Sequence, residues 1–165
     1  MRFNLVDQIT EVEPQRRIQT IKNLTLGEEY LADHFPTFPV MPGVLMLETL
    51  VETGAWLLRI SDDFKHSMIV LREAKNIKFG HFVEPGRRLL VTVEATERSG
   101  NLVSLKGKGE IEGNQAVSAR LVLESYNLRD RQPSLESTDA KLIAHWRELY
   151  CLLTGLEKTQ EKLVH

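Results

Sequence analysis

The sequence predicts an α+β fold: an antiparallel sheet wrapped round one long central helix, with a C-terminal helical extension. Three observations predict it. Residues 44–60 are apolar on nearly every side, as in a buried helix. Four extended segments joined by tight-turn signals follow. A polar linker at 129–136, containing Pro133, then leads into a second helical pattern. A helix followed by a meander is an α+β order. A sheet curved round the helix accounts for apolar residues on all its sides.

In chain order, residues 3–12 carry apolar Phe3, Leu5, Val6, Ile9 and Val12, a short opening strand or helical turn, and Glu13-Pro14-Gln15 turns the chain. Residues 16–26 alternate imperfectly through Ile18, Ile21, Leu24 and Leu26, a strand with a bulge. After the turn at Gly27 come a proline-rich loop and the central helix. Ser61-Asp62-Asp63 is its polar stop. Strands are expected at 67–79, 88–97, 102–112 and 116–126, with turns at Pro85-Gly86, Ser99-Gly100-Asn101 and Gly113-Asn114. Ser137 or Thr138 can cap a tail helix over 139–162. Its seam is Leu142, Trp146, Leu149, Leu153, Leu156 and Leu163, weakened at Gly155. That seam packs on its own domain or a dimer mate, or docks another protein. The division is a domain at 1–127 and an extension at 128–165.

A chain of 165 residues, 42% hydrophobic and 27% charged, suits one globular domain with an appendage. A net charge of −2 gives no general electrostatic case for nucleic acid. The single cysteine, Cys151, excludes an intramolecular disulfide and a cysteine zinc site; it reads as helix packing and fits a cytoplasmic location. Residues 1–10 hold no long apolar run, so no signal peptide is expected. The central helix is slightly short for a membrane span and carries two glutamates.

The chemistry concentrates at residues 34–52. Pro36, Pro39 and Pro42 stiffen a loop with His34 at its mouth. Pro42 suits the first helical position. Glu48 and Glu52, four apart, share one face of a helix expected to be buried. Burial raises a carboxyl pKa, and histidine's ordinary pKa of about 6.5 leaves a base at neutral pH. A histidine on a rigid loop ahead of carboxylates on an apolar helix is an acid/base pattern. His66, His81, His145 and His165 lie near turns or in the tail and read as structural or solvated. No metal site is expected, because the histidines are not at ligand spacing.

The run His34-Phe35-Pro36, Pro39-Val40-Met41-Pro42-Gly43-Val44-Leu45 and Glu48 resembles the signature of FabZ-type 3-hydroxyacyl-(acyl carrier protein) dehydratases, hot-dog-fold enzymes of fatty acid synthesis. The segments at 3–9, 21–25 and 82–86 resemble other parts of that family's pattern, and the likeness runs from about 3 to 126. The resemblance implies dehydration of a 3-hydroxyacyl thioester to the trans-2-enoyl thioester, with His34 as base and Glu48 as acid, directly or through a water. Backbone N–H at Gly43 would polarise the thioester oxygen. It implies an acyl-carrier-protein partner, no cofactor, and a homodimer or trimer of dimers in which His34 and Glu48 of one site come from different subunits. Phe38, Met41, Leu45, Met46 and Phe79 are acyl-tunnel candidates. Arg87, Arg88, Lys75 and Lys78 are candidates for meeting the acidic carrier.

Three departures from the family pattern are Asp33 and Thr37, where glycine is usual, and Glu52, where glutamine is common. Threonine resists positive φ; Asp33 stands beside the proposed base; Glu52 is a possible helper whose charge would push the two carboxyl pKa values apart. The other readings are a hot-dog acyl thioesterase, and a non-catalytic hot-dog subunit that binds acyl carrier protein or pairs with an active partner.

Overall fold

The computed structural model describes residues 4–156. Phe3, the expected helix over 157–162, Leu163 and His165 lie outside them. In chain order the strands and helices are β1 (Gln8–Glu13), β2 (Arg17–Asn23), α1 (Gly43–Ser61), β3 (Met68–Phe79), β4 (Arg88–Ser99), β5 (Leu102–Ile111), β6 (Asn114–Tyr126) and α2 (Glu136–Thr154). One six-stranded sheet, ordered β1-β2-β4-β5-β6-β3 and antiparallel at every pairing, packs against α1. This is the hot-dog fold.

The strands form where period-2 patterns put alternate residues inward. In β5, Val103, Leu105, Gly107, Gly109 and Ile111 are buried and the residues between them face outward. Gly54 brings α1 onto this sheet: a Cβ there would lie 2.6 Å from Leu105 Cδ1. The hairpin expected at Gly113-Asn114 is centred one residue earlier. Glu112 and Gly113 have φ of +50° and +83°, the pair of positive values a type I′ turn needs.

Two expectations are corrected. α1 is not covered all round: Val44 is 72% exposed and Glu48 is also exposed, because the sheet wraps the opposite side of the helix start. α2 is not capped by Ser137 or Thr138. A 3-10 turn at Pro133–Leu135 leads into it, and it ends with Gly155 at φ +70°, a left-handed cap that glycine adopts without strain.

α2 lies on its own domain. Trp146 meets Trp56 edge-on with ring centroids 6.0 Å apart, and Tyr150 packs on Phe64 at 5.6 Å. Leu153 is buried, whereas Leu156 is 52% exposed. Asp139 fastens the start of the helix: its buried carboxylate accepts bonds from the Ser67 hydroxyl and the Leu128 and Arg129 N–H groups. Burial alone would raise this carboxyl's pKa, but those three donors outweigh it and hold it below the ordinary carboxylate range.

Candidate active site

His34 sits just after the 3-10 turn Glu29–Ala32, where its N–H donates to the Tyr30 carbonyl at 3.1 Å. Its ring Nδ1–H donates to the Val40 carbonyl at 2.9 Å. A carbonyl only accepts, so Nδ1 carries the proton, and in the neutral ring Nε2 is the free acceptor. The loop is pinned elsewhere too. The Phe38 N–H closes a turn onto the Phe35 carbonyl at 2.7 Å, and the Met41 N–H reaches the Val83 carbonyl at 2.9 Å. Phe38 meets Phe82 edge-on at 5.7 Å.

The backbone strain in this loop falls on Phe35, at φ +54°, and not on Thr37, whose φ is not positive. A left-handed non-glycine residue costs free energy and is retained where the surroundings fix it. The Phe35 ring packs against the His34 imidazole with centroids 4.3 Å apart. Asp33 is exposed and forms no ion pair with His34.

At the start of α1, Leu45 and Met46 N–H both donate to the Pro42 carbonyl. The Gly43 and Val44 N–H groups precede the helical ladder and remain free to meet a substrate oxygen. Space is tight at Gly43: a Cβ would lie 3.1 Å from the Phe79 ring, which would have to shift. The five tunnel candidates therefore divide. Phe79 lies over Gly43 and Phe38 borders the loop, both about half exposed. Leu45 is half-buried, while Met41 and Met46, 1% and 3% exposed, are part of the buried core.

Glu48 and Glu52 line a groove of about 780 Å³ between α1, β3 and α2, with Asn4, Trp56, Arg59 and Trp146 among its other walls. Neither Arg59 nor Arg72 pairs with Glu48; Arg72 pairs with Glu124. Apolar neighbours remove water from the Glu48 carboxyl and push its pKa up although the residue is exposed. Burial pushes Glu52 further, to about 7, against the Leu5 N–H bond at 2.9 Å and the charges of Arg59 and Lys22. His34 is not among the groove's lining residues, so within one chain the structure does not bring His34 and Glu48 together.

The Glu52 shift has a stability consequence. Its folded pKa of about 7 lies above the ordinary value of 4.5, so the folded state holds an extra proton between them. Stability therefore falls as pH rises across that window, and the deficit is complete above it. Glu52→Gln keeps an acceptor for Leu5 and is expected to raise stability by ~2 kcal/mol at pH 8 and by almost nothing at pH 4, as read by urea unfolding. An equal gain at both pH values would contradict the assignment.

Of the four candidate carrier-facing cations, Arg87 pairs with Glu112 and Lys75 with Glu73. Lys78 lies with Lys106, Lys108 and Arg120 on the outer sheet face, and Arg88 is exposed. Among the described residues, no cluster of His, Cys, Asp and Glu could hold a metal ion, and no helix is long and apolar enough to cross a membrane.

The fold and the His34-to-Glu48 pattern are those of a dehydratase-type hot-dog protein, and a family model described as a FabA-like domain matches residues 1–120. A 3-hydroxyacyl-(acyl-carrier-protein) dehydratase FabZ from Campylobacter curvus is 36% identical over 125 residues, covering 72% of this chain and 84% of that protein. The protein of the same name from Syntrophomonas wolfei is 40% identical over 115 residues, covering 70% and 78%. Among solved structures, the dehydratase heterocomplex ApeI:P from Xenorhabdus doucetiae aligns with a TM-score of 0.65 at 13% identity, covering 81% of this chain and 90% of that one. The chain belongs to the FabZ family of 3-hydroxyacyl-(acyl-carrier-protein) dehydratases. α2 lies beyond the residues the family model matches.

Proposed function

We propose that the chain dehydrates 3-hydroxyacyl thioesters carried on acyl carrier protein, with His34 as base and Glu48 as acid. The family's reaction, a hydro-lyase step of fatty acid synthesis, is this chain's reaction. His34 Nε2 takes the proton from C2, the electron pair forms the C2=C3 bond, and the C3–O bond breaks. Glu48, directly or through a water, gives the departing hydroxyl its proton, so water leaves. Gly43 and Val44 N–H stabilise the charge that builds on the thioester oxygen. Glu52 tunes the groove beside Glu48.

The observation that carries this reading is the Val40 carbonyl on His34 Nδ1, which leaves Nε2 as the basic nitrogen. The two residues meet across a homodimer in this account. β3, at one end of the sheet, supports that: among the described residues it pairs only with β6, and it exposes Leu71, Ile77 and Phe79 by 38–55%. Such an edge is suited to cover by a second copy. The catalytic domain is taken as 1–127, the extension as 128–165, and the location as the cytoplasm. The direct test is hydration of a trans-2-enoyl thioester by the purified chain, followed by loss of enoyl absorbance. Turnover on a carrier-protein thioester is expected, and hydrolysis to free acid without hydration would contradict the reading.

A further inference from the structure

The groove that holds Glu48 also holds a cation the dehydration does not use. Arg59, in the last turn of α1, is 8% exposed and lines the groove. Its guanidinium lies 4.0 Å from the Trp146 ring centroid and 5.2 Å from that of Trp56. Those contacts engage its face and leave its N–H edge unengaged. Among the described residues it forms no ion pair, and its Nε is buried with no hydrogen-bond partner. Glu52, the carboxyl that acts on it electrostatically, instead accepts the Leu5 N–H. A buried cation without a counter-ion is costly unless something completes it.

The groove has two distinct ends. Glu48 stands at one and Arg59 at the other, three turns along α1, or about 16 Å of helix axis. Between them Val51, Ala55, Ile69, Leu142 and Leu149 make the apolar part of the wall, and Glu52, held by the Leu5 N–H, is the carboxyl along it. A mainly apolar channel with Glu48 at one end, Glu52 along its wall and a guanidinium without an ion pair at the other end is complementary to an extended chain of medium length with an anion at its tip. A guanidinium is a planar, weakly hydrated fork, which matches a carboxylate better than a single-point acceptor. Leu142, Trp146 and Leu149 come from α2, so the cation end exists because of the extension.

We propose that this groove receives the acyl chain and that Arg59 binds a carboxylate at its distal end, so that the preferred substrates are ω-carboxyacyl thioesters. The inference rests on the dehydratase reading with Glu48 at the reacting end.

Trp56 and Trp146 are the chain's two tryptophans, so intrinsic fluorescence reports on this site. The full chain is titrated with the octanoyl thioester of N-acetylcysteamine and with the equal-length thioester bearing a terminal carboxylate. The carboxylate form is expected to bind about tenfold tighter or more, as a charged hydrogen-bonded pair gives, with a change in tryptophan emission. Arg59→Met should abolish the difference and Arg59→Lys should retain part of it. Equal affinities in the wild type, or a preference that survives Arg59→Met, overturns the proposal, and the wild-type comparison decides even where a variant misfolds. Hydration of the plain octenoyl thioester without any ω-carboxy preference removes this inference alone. Absence of hydration on the trans-2-enoyl forms of both thioesters, as N-acetylcysteamine and as carrier-protein thioesters, with carboxylate-selective binding intact, removes the dehydratase reading instead.

Discussion

His34→Ala is expected to lower kcat for dehydration by ~10² to 10⁴ with little change in KM. In the proposed role the imidazole acts only as the C2 proton moves, so its loss should fall on the transition state and not on substrate binding. The surroundings give the residue one competent arrangement. The Val40 carbonyl takes Nδ1–H, the left-handed Phe35 backbone turns the chain directly after it, and the Phe35 ring flanks it. Steady-state kinetics on a 3-hydroxyacyl thioester checks this; a His34→Ala enzyme within threefold of wild type would remove His34 as the base.

Glu48→Gln is expected to cost ~10² or more in kcat. Glutamine keeps the shape and polarity of the side chain but cannot release an acidic proton to the departing hydroxyl. Desolvation holds the Glu48 pKa up, which keeps more of it protonated at a given pH. The wild-type rate should fall as pH rises through that pKa, and the variant's small residual rate should lose this alkaline limb. A pH–rate profile of identical shape in both proteins would show that Glu48 is not the acid. Glu48→Asp, which shortens the reach but keeps the acid, should retain the limb at reduced rate.

Much of the fold was legible in local pattern. The continuous apolar run marked α1 to within one residue at each end, because helix burial and the Pro42 and Ser61 boundaries are written in adjacent residues. The meander strands followed from period-2 alternation and glycine turns. The same local signals could not say which side of α1 the sheet leaves uncovered, so Glu48 was expected to be buried and is exposed. Nor could they place the loop strain on Phe35 rather than Thr37, because the loop's anchoring includes the Met41 N–H bond to the Val83 carbonyl, a contact between residues far apart in sequence.

Arg59 shows the limit most clearly. In the sequence it is one charge near a helix end. Its actual neighbours, Trp56 and Trp146, are brought together only when α2 folds back over α1. Asp139 is similar: it reads as an ordinary first-turn acid, yet it is the buried acceptor that secures α2 to Ser67 and to the chain after β6. Both roles depend on contacts between residues far apart in sequence, which neither periodicity nor a family pattern ending before α2 records.

The central claim is that one site takes His34 from one subunit and Glu48 from the other. It is tested by refolding or co-expressing His34→Ala and Glu48→Gln chains under different affinity tags and assaying the doubly tagged dimer. Each variant alone should be nearly inactive. A mixed dimer would hold one site with both residues intact and one with neither, so about half the wild-type kcat per dimer is expected. Mixed dimers as inactive as their parents would contradict the account.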